Sequence, residues 1–299
     1  MKAAPFGYHR ATSVAEAVEL LAAYDGTARV LAGGQSLVPM MNMRLIRPDA
    51  VIDINGLTDL SQVSVEGSTT VVGATVRYST LEQSPVIAER LPLIPHMVRH
   101  IGDRHIRNRG TLGGSLAQAD PTGEMPLACM ALAATANVVG PDGTRTIAVD
   151  ELFDTSYATC LEPCEVITAV TFPTMPAHFG FAEMTRRHND FAVISAACVA
   201  SGSPTAGFRD LRLGLGGVND TPVIAAEVGE LLEGSALSDD DIARAAQAAL
   251  SAVDPPSDIR ASAEYRRHLV PIYVRRVLQQ LRDSAGGSGA TPSPRRESS

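Results

Sequence analysis

Residues Ile101–Pro126 read IGDRHIRNRGTLGGSLAQADPTGEMP, and the fold turns on how this stretch is interpreted. At its centre, Thr111-Leu112-Gly113-Gly114-Ser115 sets two glycines between hydroxyl residues. Glycine has no Cβ, so it takes φ > 0 readily and lets an anion come close to the main chain. A turn built this way can gather several backbone N–H groups at one point, a nest that binds phosphate without a lysine. Each hydrogen bond to a charged acceptor contributes about 1.5–3 kcal/mol, so a few of them suffice for a diphosphate. On its own, the run is also what a tight surface turn looks like.

A second run of the same design, Ala32-Gly33-Gly34-Gln35-Ser36, comes earlier in the chain, directly behind the apolar Val30-Leu31. Two glycine turns, each beside an expected strand, suggest two walls of one phosphate site.

Taken in order, AGGQSL, then PMMNMRL, then IRNRGTLGGSLAQADPTGEMP resemble the medium, FAD-binding subunit of the molybdenum hydroxylases, the carbon monoxide dehydrogenase and xanthine dehydrogenase family. The resemblance covers about residues 1–282. It implies an α+β fold: a two-subdomain FAD-binding unit of the PCMH/vanillyl-alcohol-oxidase type, followed by a smaller α+β C-terminal domain of the CO dehydrogenase flavoprotein type. The corresponding divisions are 1–56, 57–175 and 176–282, with 283–299, rich in Gly, Ser, Pro and Arg, as a disordered tail.

The resemblance also implies a site. Ala32, Gly33, Gly34, Gln35, Ser36 and Leu37 on one side, and Thr111, Gly113, Gly114 and Ser115 on the other, would cradle the FAD diphosphate, with Gln118 next to it. Glu124 falls where the family carries an acid on the cofactor's sugar. A carboxylate accepts two hydroxyl hydrogen bonds at once, although an acid at a helix start also complements the dipole. Ile101 and Gly102 fit the segment beside the flavin ring. Phe191, within Thr185–Ala192, fits the loop over the flavin face, where some relatives carry tyrosine; the alternative is a buried strand residue. Gln35 stands where several relatives have histidine. Some more distant flavin oxidases link such a histidine to the flavin. Glutamine has no nucleophilic ring nitrogen, so non-covalent FAD is expected. No catalytic acid–base residue is expected, because the flavin does the redox work.

The implied partners are a large molybdopterin-binding subunit, a small subunit with two [2Fe–2S] clusters and an external electron acceptor, in a dimer of heterotrimers. Two other readings compete. One is a self-sufficient flavin-dependent oxidoreductase, for which the segment after Pro176 is small as a substrate domain. The other is a scaffold without FAD, which the intact glycine runs oppose.

Composition narrows the classes further. A net charge of −8 over 299 residues disfavours a nucleic-acid partner. The cluster Arg99, His100, Arg104, His105, Arg107 and Arg109 is the local exception, suited to a diphosphate, a partner subunit or solvent. Apolar content of 45% and charged content of 19% fit a globular chain with a real core. No apolar run approaches the ~20 residues of a membrane span. MKAAPFGYHR lacks the apolar segment of a secretory signal, so a cytoplasmic location is expected. Among Cys129, Cys160, Cys164 and Cys198 only the middle two are close, and no zinc or iron–sulfur spacing results. Any metal is therefore expected in another chain.

Periodicity supplies the remaining elements. Ser13–Glu16 fits a capping box ahead of a helix bearing Val14, Ala17, Val18, Leu21 and Ala22. Strands are expected at 28–31, 51–54, 70–73 and 165–172, a short helix at 36–44 with Met40, Met41 and Met43 in a core, and helices within 85–99 and over 124–134. A hairpin is expected over 137–149. Beyond Pro176 come strands at 179–184, 191–200 and 211–215. A helix opened by Thr221-Pro222 and carrying Ile224, Val228, Leu231 and Leu232 comes next, then one capped by Ser238 and a last one after Pro271.

Overall fold

The computed structural model describes residues 2–187 and 189–286. The first unit comprises β1 (Gly7–Arg10), α1 (Val14–Ala23), β2 (Arg29–Leu31), α2 (Leu37–Asn42) and β3 (Ala50–Asp53). β1 and β2 flank β3 in a parallel sheet, and α1 is the crossover that parallel pairing requires. Ala17, Val18 and Leu21 of α1 are buried with Ile52 and Ile54. The capping box forms with a shift. Ser13 Oγ accepts the Glu16 N–H at 3.1 Å, but the Glu16 carboxylate passes Ser13 and takes the Thr12 N–H at 2.7 Å together with the Thr12 hydroxyl. Of the three methionines only Met41 is core: Met43 is 52% exposed and Met40 reaches Gln118 at the surface of α2.

The second unit is a five-stranded antiparallel sheet carrying small helices. Its strands are β4 (Val63–Glu66), β5 (Thr69–Gly73), β6 (Thr135–Gly140), β7 (Gly143–Ala148) and, after the two-stranded ribbon of β8 (Phe153–Thr155) and β9 (Ala158–Thr159), β10 (Val166–Phe172). The order is β4-β5-β10-β6-β7. The expected hairpin is β6–β7, paired from Thr135↔Ala148 to Gly140↔Gly143. Between β5 and β6 lie α3 (Tyr78–Gln83), α4 (Pro85–Arg90), α5 (Leu93–Val98), α6 (Arg104–Arg107), α7 (Leu112–Gln118) and α8 (Glu124–Ala131), and α9 (Val149–Leu152) comes after β7. Pro85 and Pro95 fall in first turns, where the missing N–H costs nothing. Leu81, Leu93, Ile94, Met97 and Leu127 pack with Val72, Val170 and Phe172 into the largest core.

The third unit has β11 (His178–Thr185), β12 (Ala192–Ser203), β13 (Gly207–Gly216) and β14 (Val223–Ile224), antiparallel in chain order, with α10 (Ala226–Leu232), α11 (Asp239–Ala248) and α12 (Ala263–Ala285) on one face. β12 is buried on both sides. Ala197 and Val199 join the core of the second unit, while Ala196, Cys198 and Ala200 face the helices. This period-two division ties the third unit to the second.

Three expectations change here. Val223 and Ile224 pair with Leu215 and Gly214, so the Thr221-Pro222 segment leads into an edge strand and the helix starts only at Ala226. The last helix does not begin after Pro271. Ser262 caps it, and it runs through the proline, whose cost of about 3 kcal/mol is offset by burial of Leu269, Val270, Tyr273 and Val274. It also continues to Ala285, with Arg282 paired to Asp239 at 2.7 Å, so Asp283–Ala285 are helical where a tail was expected. The tail beyond 286 lies outside the described residues.

Candidate functional site: a cofactor cavity where the three units meet

A cavity of about 670 Å³ opens at the junction of the three units, a size in the range of small-molecule and cofactor sites. Ala32, Gly33, Gly34, Gln35, Ser36 and Leu37 line it from the β2–α2 connection. Thr111, Gly113, Gly114, Ser115 and Gln118 line it from α7, Glu124 from the start of α8, Ile101 and Gly102 from behind α5, and Phe191 from just before β12. Every residue expected at the site therefore reaches one space. Asn189 and Asp190, of the Thr185–Ala192 segment expected over the flavin face, also line it, as do Tyr78, Asp120, Thr159 and Glu165, which were not expected there. Nothing in the local pattern of these four marks them; long-range packing brings them in.

The β2–α2 connection is an open loop. Gly34 takes φ +72°, and a Cβ on Gly33 would lie 2.4 Å from the Arg109 carbonyl oxygen, so the main chain passes where no side chain fits. The backbone N–H groups of Gly33 to Leu37 donate to no acceptor among the described residues. These free donors on a cavity wall fit an anionic group.

The second run is not a turn, and this corrects the expectation of a second amide nest. Thr111 is the N-cap of α7, its hydroxyl accepting the Gly114 N–H at 3.2 Å. The Leu112 N–H donates to Val76 O at 3.2 Å and the Gly113 N–H to Ala74 O at 2.9 Å. The amides of this run are thus committed to the protein. Gly113 is needed because a Cβ there would come 2.5 Å from the Ala74 Cβ. Gly114 has no positive φ; it leaves a strip of bare backbone on the wall, where an added Cβ would meet only Thr111. Beside it, burial pushes the Tyr78 phenol up, and the Ser115 hydroxyl partly offsets the shift.

The acidic end differs from the expected ionised carboxylate. Burial pushes the Glu124 carboxyl up to about 8, and Glu183 and Asp120 add to the effect. The shift brings its titration close to neutral pH, so that the protonated form can donate to a ligand oxygen and the ionised form can only accept. Behind it Glu183 accepts from, or pairs with, His100 Nδ1 at 3.1 Å. His96 is depressed to about 4 by burial, then by His100 and Arg99.

Phe191 is 55% exposed and precedes the strand, which rules out its reading as a buried strand residue. Asp190 Oδ1 accepts the Phe191 N–H at 2.9 Å, and the Arg260 guanidinium lies 4.8 Å from the ring centroid. His188, in the same loop, lies outside the described residues. The basic cluster is divided rather than a single patch. Arg107 pairs with Glu82 at 3.1 Å and donates to the carbonyls of Ile101 and Gly102, and His100 turns to Glu183, while Arg104, His105 and Arg109 are exposed. Among the described residues no three His, Cys, Asp or Glu side chains are grouped to hold a metal, and no helix is long and apolar enough to cross a membrane. The four cysteines are free thiols, and burial pushes those of Cys129 and Cys198 up.

The chain's similarities to known proteins have the same outline. The family described as the FAD binding domain in molybdopterin dehydrogenase matches residues 4–175, and the CO dehydrogenase flavoprotein C-terminal domain matches 179–281. The chain is 37% identical to the nicotine 6-hydroxylase medium subunit of Paenarthrobacter nicotinovorans, over 93% of this chain and 98% of that one. It is 36% identical to the carbon monoxide dehydrogenase medium chain of Afipia carboxidovorans, over 94% and 98%. Its structure superposes on a chain of carbon monoxide dehydrogenase from Hydrogenophaga pseudoflava with a TM-score of 0.91 at 35% identity, covering 94% of this chain and 98% of that one. On quinoline 2-oxidoreductase from Pseudomonas putida 86 the TM-score is 0.91 at 33% identity, covering 95% and 99%. With both domains matched end to end and the FAD-binding fold superposing throughout, the chain belongs to the FAD-binding medium subunits of the molybdopterin dehydrogenases, the carbon monoxide dehydrogenase and xanthine dehydrogenase family.

Proposed function

We propose that this chain is the FAD-binding electron-transfer subunit of a heterotrimeric, cytoplasmic molybdenum hydroxylase. In this reading electrons released from substrate at a molybdopterin-bearing large subunit cross two [2Fe–2S] clusters in a small subunit, reach FAD held here, and leave to an external acceptor. The observation that carries the reading is the row of unsatisfied amides from Gly33 to Leu37 facing one cavity with Gly114, Glu124 and Phe191 on its other walls. The relatives named as medium subunits or medium chains support the subunit role. Bound FAD supplies the two-electron redox chemistry. The chain's own part is to hold it. The free amides of the β2–α2 loop donate to the diphosphate. Gly33 lets that backbone pass close to the wall, and Gly114 keeps the facing wall thin. Glu124 would exchange hydrogen bonds with a sugar hydroxyl, and Ile101 and Phe191 would shield the ring from water. Gln35 leaves the flavin unlinked.

The complex purified through this chain should carry FAD, molybdenum and iron together, and acid precipitation should leave its yellow colour in the supernatant. Substrate should reduce the flavin only when the clusters are present. Flavin reduction by an organic substrate in the chain without its partners would favour a self-sufficient oxidoreductase, and a purified complex without flavin would favour a scaffold.

A further inference from the structure

Two side chains that do not line the cavity control the loop that does. Asn55, just beyond β3, donates from Nδ2 to the Ala32 carbonyl at 2.9 Å and to Asp53 Oδ1 at 2.6 Å. Its Oδ1 accepts from Arg77 Nη2, and because arginine has no acceptor the amide can face only this way. Arg77 comes from the second unit, and its other Nη donates to the Arg109 carbonyl, the group against which Gly33 is packed. Asp53 in turn is fixed by the Tyr8 hydroxyl at 2.6 Å and by the Asn55 N–H at 2.8 Å. The chain Tyr8–Asp53–Asn55–Arg77–Arg109 therefore crosses the seam between the first and second units directly behind the amide row.

The peptide bond gives this network its consequence. In a trans peptide the carbonyl of one residue and the N–H of the next point in opposite directions. Anchoring the Ala32 carbonyl on Asn55 therefore aims the Gly33 N–H away from Asn55. Without the anchor, the Ala32–Gly33 peptide can rotate, since glycine imposes no barrier of its own. Building on the proposed FAD-binding role, we infer that Asn55 and Arg77 are positioning residues for the cofactor diphosphate, acting through Ala32 and Gly33 rather than by contact.

Asn55→Asp keeps the size of the side chain and its acceptor for Arg77, but it can donate neither to Ala32 nor to Asp53, and it brings a second carboxylate against Asp53. The flavin-stripped complex of each variant is titrated with FAD, with ADP and with riboflavin, and its unfolding is followed without ligand. FAD and ADP should both bind Asn55→Asp about ten- to a hundredfold more weakly, the worth of one hydrogen bond to a charged acceptor. Riboflavin, which has no phosphate, should bind as it does to the wild type, which separates loss of the anchor from any general destabilisation by the facing carboxylates seen in the ligand-free unfolding. Arg77→Lys, which keeps the charge but cannot bridge both partners, should show the same pattern more weakly and serves if Asn55→Asp fails to assemble. FAD and ADP affinities within twofold of the wild type, or an equal loss for riboflavin, would overturn the inference while leaving the FAD role intact. A wild-type complex that takes up no FAD would overturn that role and the inference with it.

Discussion

The two glycine runs look interchangeable in sequence and play opposite parts in the structure. Ala32–Ser36 is a loop on the cavity wall whose amides from Gly33 onward have no partner among the described residues, held by Asn55 at the Ala32 carbonyl. Thr111–Ser115 is the beginning of a helix whose first amides are taken by Val76, Ala74 and the Thr111 hydroxyl. The difference lies in the helix that each run leads into. After Ser36 no cap side chain accepts an N–H of the helix, whereas the Thr111 hydroxyl accepts from Gly114 and Leu112 and Leu116 bury fully into the core. The first run supplies hydrogen bonds; the second supplies a wall that must stay thin.

That contrast can be broken at its strongest point first. Gly33→Val drives a side chain into the Arg109 carbonyl at the seam and displaces the amide row, so the complex should retain essentially no FAD by absorbance. Gly114→Val should lose most of its FAD, about tenfold or more in affinity, while still folding, because the added atoms meet only the Thr111 hydroxyl and the cavity. If Gly114→Val kept full flavin occupancy, the second run would not be a cofactor wall. Gly113→Ala sharpens the distinction: its Cβ collides with Ala74 inside the core, so it should cost about 1–3 kcal/mol of folding stability, read by denaturant titration. Thr111→Val removes the cap and should cost about 1 kcal/mol in the same measurement. Its effect on FAD binding should be smaller than that of Gly33→Val, because the amides it frees were already committed.

Acid–base behaviour tests the acidic end of the cavity. Glu124 has a folded-state value raised to about 8 from 4.5. Between those values the folded chain holds a proton that the unfolded chain releases, so this contribution to stability is present at low pH and declines as pH rises through about 8. The flavin-free protein should melt a few degrees lower at pH 8 than at pH 5, and Glu124→Gln should flatten that slope. An unchanged slope would mean that Glu124 is ionised in the folded chain.

Local pattern by itself settled much of this protein. Helix caps at Ser13 and Ser238, the β6–β7 hairpin and the glycine runs are short-range features, and they could be read because each depends on a few neighbouring residues. The site residues implied by family resemblance all converge on one space, while Tyr78, Asp120, Thr159 and Glu165 on the same wall were not reachable that way. Tertiary structure decided what those residues do. Whether Thr111–Ser115 became a turn or a helix start depended on Val76 and Ala74 offering carbonyls from outside the run. Ile224 became strand because Gly214 was free to pair with it, and α12 ran through Pro271 because its apolar face had a sheet to bury against. The Glu124 carboxyl is pushed up because packing of the units buries it, with Glu183, from another unit, adding to the effect. Asn55 and Arg77 carry no motif, and only the closure of the seam shows that they hold the loop. Amide direction, burial and charge coupling are set by atoms distant in the chain, so they exist only once the units have docked.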